Sequence, residues 1–295
     1  MRHTARTDTL EIAYEQSGPG DGTPVILLHG FPDDVRTWDG VAPPLAAAGL
    51  RVIVPWLRGY GPTRFLDPAT PRSGQQAALG ADLRALMDAL GIGQALLAGY
   101  DWGGRAACIV SALWPERVIG LVTINGYNIQ NIPACGVPAD PEQELRHWYQ
   151  WYFHTERGRN GLTANRDAIC RLLWRLWSPN WAFDDASYAA TAESFQNPDF
   201  VDVVIQSYRH RHRAADGDPS LAGIEALLEA LPPIPVPTIV LHGLADGVGP
   251  ASLEDREAHR FTGKYSRELV PVAGHFLPRE TPGKVVEAVR HLAGL

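Results

Sequence analysis

The segment Ala98-Gly99-Tyr100-Asp101-Trp102-Gly103-Gly104 constrains this chain more than any other. An apolar run over 95–98 leads into it, and a helical pattern over 102–114 leaves it and stops at Pro115. Passing from strand to helix in so few residues demands a sharp turn, and glycine on both sides of the central residue removes the Cβ clashes of such a turn. An Asp there can cap the following helix. A cap alone does not need Gly99, Gly103 and Gly104 around it, so Asp101 is a candidate nucleophile.

The surrounding rhythm sets the fold class. Strands are expected over 9–14, 25–28, 51–54, 95–98 and 119–124. A helix is expected over 75–90, with Ser73 as its N-cap and Gly91 as its stop. Strands alternating with helices imply α/β architecture, a mostly parallel sheet covered on both faces. From about residue 127 to 235 no strand pattern is found. Aromatic, Arg-rich helical stretches over 141–155, 166–177 and 199–213 fill this region, and the Pro-rich 231–237 reads as a stiff extended connector. The alternation resumes with a strand over 238–241, a helix over 253–261, a strand over 267–270 and a helix over 284–292. We therefore expect a core domain of 1–126 and 236–295, interrupted by a helical lid with its connectors over 127–235. A chain of 295 residues fits that division, because ~250–300 residues is near the limit of a single core.

Composition narrows the function classes. The net charge is −7 and only two of 26 basic residues are Lys, Lys264 and Lys284. An acidic balance argues against nucleic acid, which needs a basic face. The basic run Arg209-His210-Arg211-His212-Arg213 reads as a solvated helix end. His210 and His212 lack acidic or thiol neighbours at ligand spacing, so no metal site is expected. Three scattered cysteines, Cys108, Cys135 and Cys170, suggest reduced thiols and a cytoplasmic protein. No signal peptide and no membrane span are expected. Five of the nine Trp (Trp148, Trp151, Trp174, Trp177 and Trp181) fall within the lid. They read as its packing core and the apolar roof of a pocket.

Three further segments complete a reaction centre around Asp101. His29-Gly30-Phe31-Pro32 follows the strand over 25–28 and can aim a backbone N–H at a developing oxyanion. Asp246 follows the strand over 238–241, and His275, in Gly274-His275-Phe276, follows the last strand. Nucleophile, acid and histidine come in the chain order of Ser-type hydrolases built on a strand–turn–helix elbow. His29 and His242 are the rival histidines and read as turn residues. Asp39 and Glu280 are rival acids that follow no strand.

With these segments together, the chain resembles the α/β-hydrolases that include epoxide hydrolases and haloalkane or haloacid dehalogenases. His29-Gly-Phe-Pro, Arg58-Gly-Tyr-Gly61, Gly99-Tyr-Asp-Trp-Gly-Gly104, Trp114-Pro-Glu-Arg117, Asp246 and Gly274-His275 carry the likeness in order. A carboxylate suits displacement at an sp3 carbon, whereas Ser attacks a carbonyl. Asp101 would form an alkyl ester, which water activated by His275 and Asp246 would hydrolyse. The backbone N–H groups of Phe31 and Trp102 are the expected oxyanion donors.

The leaving group separates two readings. An epoxide oxygen leaves as an alkoxide and needs an acid-like donor, which epoxide hydrolases supply from two lid tyrosines. Tyr149-Gln150-Trp151-Tyr152-Phe153 is similar to the first tyrosine segment and Ser207-Tyr208-Arg209 to the second. This implies Tyr149 and Tyr208, with Tyr152 the rival to Tyr149. Haloalkane dehalogenases often carry Asn where this chain has Phe31. Fluoroacetate dehalogenases resemble the chain at Arg105, which matches a carboxylate-binding Arg. Gln150, Trp151 and Tyr208 align with their halide pocket, where Gln150 departs from the pattern. Trp151, Gln150, Tyr152, Arg105 and Phe276 are thus candidate substrate contacts, with Trp151 foremost. The expected function is epoxide hydrolysis without a cofactor, on a small apolar or aromatic substrate. Dehalogenation of an organohalide by the same triad is the alternative, and a non-catalytic binding protein of this fold is the third. A homodimer is left open.

Overall fold

A computed structural model describes residues 2–295. Nine strands form one sheet: β1 (Arg2–Arg6), β2 (Leu10–Ser17), β3 (Pro24–Leu28), β4 (Arg51–Pro55), β5 (Arg64–Phe65), β6 (Ala95–Tyr100), β7 (Val118–Ile124), β8 (Thr238–Gly243) and β9 (Tyr265–Val270). Their order is β1-β2-β4-β3-β6-β7-β8-β9, with β5 paired to β2. The pairs involving β2 are antiparallel, and β4-β3-β6-β7-β8-β9 is parallel throughout. Every residue of β6 is buried. That is why this strand reads as an unbroken apolar run, as strands covered on both faces do.

The helices are α1 (Ala42–Ala47), α2 (Gln76–Ala89), α3 (Asp101–Leu113), α4 (Pro141–Arg146), α5 (Trp148–His154), α6 (Glu156–Ala164), α7 (Arg166–Trp177), α8 (Asp185–Ala192), α9 (Phe200–Arg211), α10 (Ala222–Glu229), α11 (Leu277–Glu280) and α12 (Pro282–Ala293). Helices α4 to α10 all lie between β7 and β8. Their apolar residues, among them Phe153, Trp174, Trp177 and Phe200, join the same buried cluster as the strands.

Several expectations are corrected. β1 and the short β5 carry no recognisable run of their own. Residues 253–261 hold only a 3-10 turn, Ala258–Arg260, because Leu253, its first apolar residue, is 83% exposed and supplies no buried face. The helix expected over 141–155 breaks at His147, which ends α4 and precedes α5. Ser73 is not the cap of α2. Gln75 holds that position without a side-chain bond, and Glu225 Oε1 of α10 accepts the Ala77 N–H at 3.1 Å instead. The Pro-rich 231–237 is more than a connector, since Ile234 forms a parallel bridge to Phe261.

Because β3, β6, β7, β8 and β9 run parallel, their C-terminal ends share one edge. That edge is where ligands bind in open α/β sheets. The loops after these strands carry Phe31, Asp101, Asn125, Asp246 and His275, respectively.

Candidate active site

Asp101 stands at the turn from β6 into α3 with φ +49°. A left-handed backbone costs a non-glycine residue about 1–2 kcal/mol, so the surrounding packing must enforce it. A Cβ on Gly99 would lie 2.5 Å from the Gly103 oxygen, and one on Gly103 would lie 2.1 Å from the Leu28 oxygen. The glycines thus let the elbow press against its own helix and against β3. Asp101 does not cap α3; its carboxyl turns inward. Oδ1 accepts the Phe31 N–H at 2.8 Å, and Oδ2 lies 3.9 Å from His275 Nε2.

His275 is buried and donates from Nδ1 to Asp246 Oδ2 at 3.0 Å. Its Nε2 has no hydrogen-bond partner among the described residues. Burial pulls its pKa down, but the charge and hydrogen bond of Asp246, with the charge of Asp101, outweigh it, and the net direction is up. Asp246 is itself held in place. Its Oδ1 accepts the N–H groups of Val248 at 2.7 Å and Gly249 at 3.1 Å. Glu280 accepts the Gly274 N–H at 2.9 Å and the Ser178 hydroxyl at 2.6 Å, fixing the turn that carries His275.

Asn125 has no counterpart among the sequence candidates. It directly follows β7, with φ +75°. Its Nδ2 donates to Asp246 Oδ2 and lies 2.9 Å from His275 Nδ1. The one local signal was an Asn followed by Gly at a strand end, which reads equally as a turn.

Tyr149 and Tyr208 come from α5 and α9 and meet with ring centroids 5.3 Å apart. They are 2% and 3% exposed, and both pack against Phe31. Burial pushes the Tyr149 phenol up to about 12, and burial also pushes Tyr208 upward. Both therefore hold their protons at neutral pH. Gln150 Nε2 donates to the Tyr149 hydroxyl at 3.0 Å. Tyr152 turns away from this pair, packing on Trp148 and Gly161.

The remaining candidates divide. Trp102 is buried and stacks on Phe31, but no hydrogen bond links its N–H to the Asp101 carboxylate among the described residues. Arg105 is 6% exposed, and burial lowers its pKa. Trp151 does not roof the site: it is 40% exposed, its indole donates to Glu144, and it packs on His154 and His212. Trp177 takes that place, 5.1 Å from the His275 ring and 5.0 Å from Tyr149. The two Trp differ in which helix face meets the sheet edge, which residue type cannot reveal. Phe276 lies behind His275 among Tyr100, Trp174 and Trp181. The rival histidines serve turns, with His29 bonded to Gly30 and Leu57 and His242 to Gly249. Asp39 pairs with Arg36 at the surface.

An elbow aspartate, an opposing histidine–aspartate pair and the helices between β7 and β8 come together at the strand ends. The α/β hydrolase fold family model matches residues 23–280, and the chain belongs to that family. It is an epoxide hydrolase-like α/β-hydrolase enzyme. A provisionally assigned epoxide hydrolase from Klebsiella pneumoniae is 47% identical, with a TM-score of 0.97 over 100% of this chain and 97% of that one. Epoxide hydrolase A from Mycobacterium tuberculosis is 26% identical over 98% of this chain and 96% of its own length. A haloalkane dehalogenase from Mycobacterium marinum is 35% identical, but over only 42% of this chain and 41% of its own length. No helix is long and apolar enough to cross a membrane among the described residues.

Proposed function

We propose that this protein opens epoxides to vicinal diols through an ester on Asp101. The observation that carries the reading is the placement of the Asp101 carboxyl. One oxygen is tied to the Phe31 N–H, the other faces His275, and two buried, protonated tyrosines pack beside Phe31. Residues 127–235 act as the lid that brings the tyrosines over the core.

In the first step Asp101 Oδ2 attacks a ring carbon. The carbon–oxygen ring bond breaks, and the leaving oxygen takes a proton from Tyr149 or Tyr208. In the second, His275 Nε2 removes a proton from water and the hydroxide adds to Asp101 Cγ. The charge that develops on Oδ1 is met by the Phe31 N–H, such a donor being worth ~3 kcal/mol of barrier. Collapse breaks the Cγ–Oδ2 bond and releases the diol as an alkoxide. The proton on His275 and the proton that the added hydroxyl leaves on the regenerated Asp101 carboxyl go one to that alkoxide and one to the tyrosinate, restoring every group. The net reaction consumes one water. A histidine must be neutral to act as base, so its raised pKa places the acid limb of the hydrolytic step above the ordinary histidine value of 6.5. No metal or organic cofactor enters these steps.

Carbon–halogen cleavage by the same triad is the second reading; Trp102, which follows Asp101 in the chain and stacks on Phe31, fits either leaving group. The two are separated by incubating His275→Gln with an epoxide panel and recording intact mass. A gain equal to the whole epoxide, absent in Asp101→Asn, is expected. Diol formation should vanish in the Tyr149→Phe/Tyr208→Phe double variant. Halide release from a haloalkane or fluoroacetate without any epoxide adduct would overturn the proposal.

A further inference from the structure

The end of α7 is fastened to the two loops that carry Asp246 and His275. One carbonyl, that of Trp177, accepts the Gly247 N–H at 2.9 Å and the His275 N–H at 3.1 Å. The next residue, Ser178, is fully buried, and its hydroxyl accepts the Phe276 N–H at 3.0 Å. The chains approach so closely that both loops need glycine here. A Cβ on Gly247 would lie 2.0 Å from the Leu176 oxygen, and one on Gly274 would lie 2.6 Å from the Ser178 Cα. Parting these buried backbone groups would leave donors and an acceptor unsatisfied. On this side the insertion is therefore a fixed part of the site and not a hinged cover.

The Trp177 ring is held in the same grip. It is 1% exposed, and its centroid lies 5.1 Å from the His275 ring and 5.0 Å from Tyr149. Rings at these separations touch, so the indole fills the space between the histidine and the tyrosine. Phe31 closes the other side, 5.6 Å from Tyr208 and 5.7 Å from Trp102. Room remains over the carboxylate itself. The Asp101 side chain keeps 15% of its surface, against 4% for His275. A reactant can lie on Asp101, but a substituent directed along the line from His275 to Tyr149 meets a ring whose backbone cannot retreat.

We propose that Trp177 is a fixed wall that sets substrate size, and that the substrate is a short-chain aliphatic epoxide with its ring at the end of the chain. A terminal ring offers Asp101 a CH2 carbon with no substituent on the side of the wall. This inference rests on epoxide opening at Asp101, and it narrows the expected apolar or aromatic substrate to a small aliphatic one. It also reverses the ordinary trend of apolar binding. In an open apolar pocket each added methylene raises kcat/KM about 4-fold. Against a packed wall the added methylenes push side chains off their rotamers and lower it.

The test compares kcat/KM for 1,2-epoxypropane, 1,2-epoxyhexane and styrene oxide in the wild type, Trp177→Leu and Trp177→Phe. The fastening is made by the Trp177 carbonyl and by Ser178, so it survives loss of the indole. The wild type should prefer epoxypropane to both larger epoxides by about 10-fold or more, the scale of overpacking a filled site. Trp177→Leu should bring the hexane-to-propane ratio to one or above, and Trp177→Phe should move it the same way by less. A kcat/KM that climbs with chain length in the wild type overturns the wall, and so does a ratio unchanged in both variants. If no epoxide opens but 1-chloropropane and 1-chlorohexane release chloride in a ratio that depends on Trp177, the epoxide reading fails and the wall stands.

Discussion

At the scale of single residues, Asn125 sets the geometry of the Asp246–His275 pair. Asp246 Oδ2 receives both the Asn125 amide and His275 Nδ1–H. The amide draws charge from the oxygen that faces the imidazole. In Asn125→Ala, Asp246 loses that donor and acts more strongly on His275, so the His275 pKa rises further. The acid limb of the kcat profile should move up by about half a pH unit to one unit, and kcat should fall about 10-fold, the scale of one hydrogen bond to a charged group. Ester formation, followed by rapid-quench mass measurement, should keep its rate. An unmoved pH profile with a uniformly slower enzyme would reduce Asn125 to a structural residue. Asp101 was legible because glycine at its neighbours is a backbone requirement written in residue type. Asn125 was not, because its role depends on Asp246 and His275, more than 100 positions away.

At the scale of elements, helices from the insertion complete the core. Glu225 on α10 accepts from Gln75 Nε2 at 3.0 Å, Gln76 Nε2 at 3.3 Å and the Ala77 N–H at 3.1 Å. An acid at a helix N-terminus satisfies a free N–H and meets the positive end of the dipole. Glu225→Ala should lower stability by about 1 kcal/mol, the usual scale of a lost cap, read from denaturant midpoints. Glu225→Gln, which keeps an acceptor, should lose less, and equal loss in the two would remove the capping account. Local reading placed the cap at Ser73 because caps are normally local. The 148 positions between Ala77 and Glu225 put the actual partner beyond any local rule. The same seam holds the Trp174 indole, which donates to the Pro32 carbonyl at 2.6 Å and so ties α7 to the loop that presents Phe31.

At the scale of the whole molecule, a buried polar network joins the sheet edge, the insertion and α11. Arg279 pairs with Asp33, which also accepts the Tyr100 hydroxyl at 2.5 Å, and Arg279 donates to Thr191 at 2.7 Å. Asp34 accepts the Ser194 hydroxyl at 2.6 Å. Burial, then the charge of Asp33, pushes the Asp34 carboxyl up to about 7. Between its ordinary value of 3.8 and about 7, the folded state keeps a proton that the unfolded chain releases. This group's contribution to stability therefore declines as pH rises through that window. Asp34→Asn removes the dependence. Compared with the wild type, its denaturant midpoint should gain more at pH 8 than at pH 5, and an identical gain at both would contradict the assignment.

The sequence by itself determined the parallel sheet, the elbow, the position of the helical insertion and the order of Asp101, Asp246 and His275. Each is written in local terms: apolar runs, helical spacing, and glycine where a Cβ cannot fit. Tertiary structure alone decided which aromatic faces the site, Trp177 rather than Trp151, and which tyrosine joins Tyr208, Tyr149 rather than Tyr152. It also decided that Arg211, read as part of a solvated helix end, is half-buried. The physical reason is common to all three. A helix presents every side of itself in sequence, and only packing against the sheet edge selects the side that is buried beside Asp101.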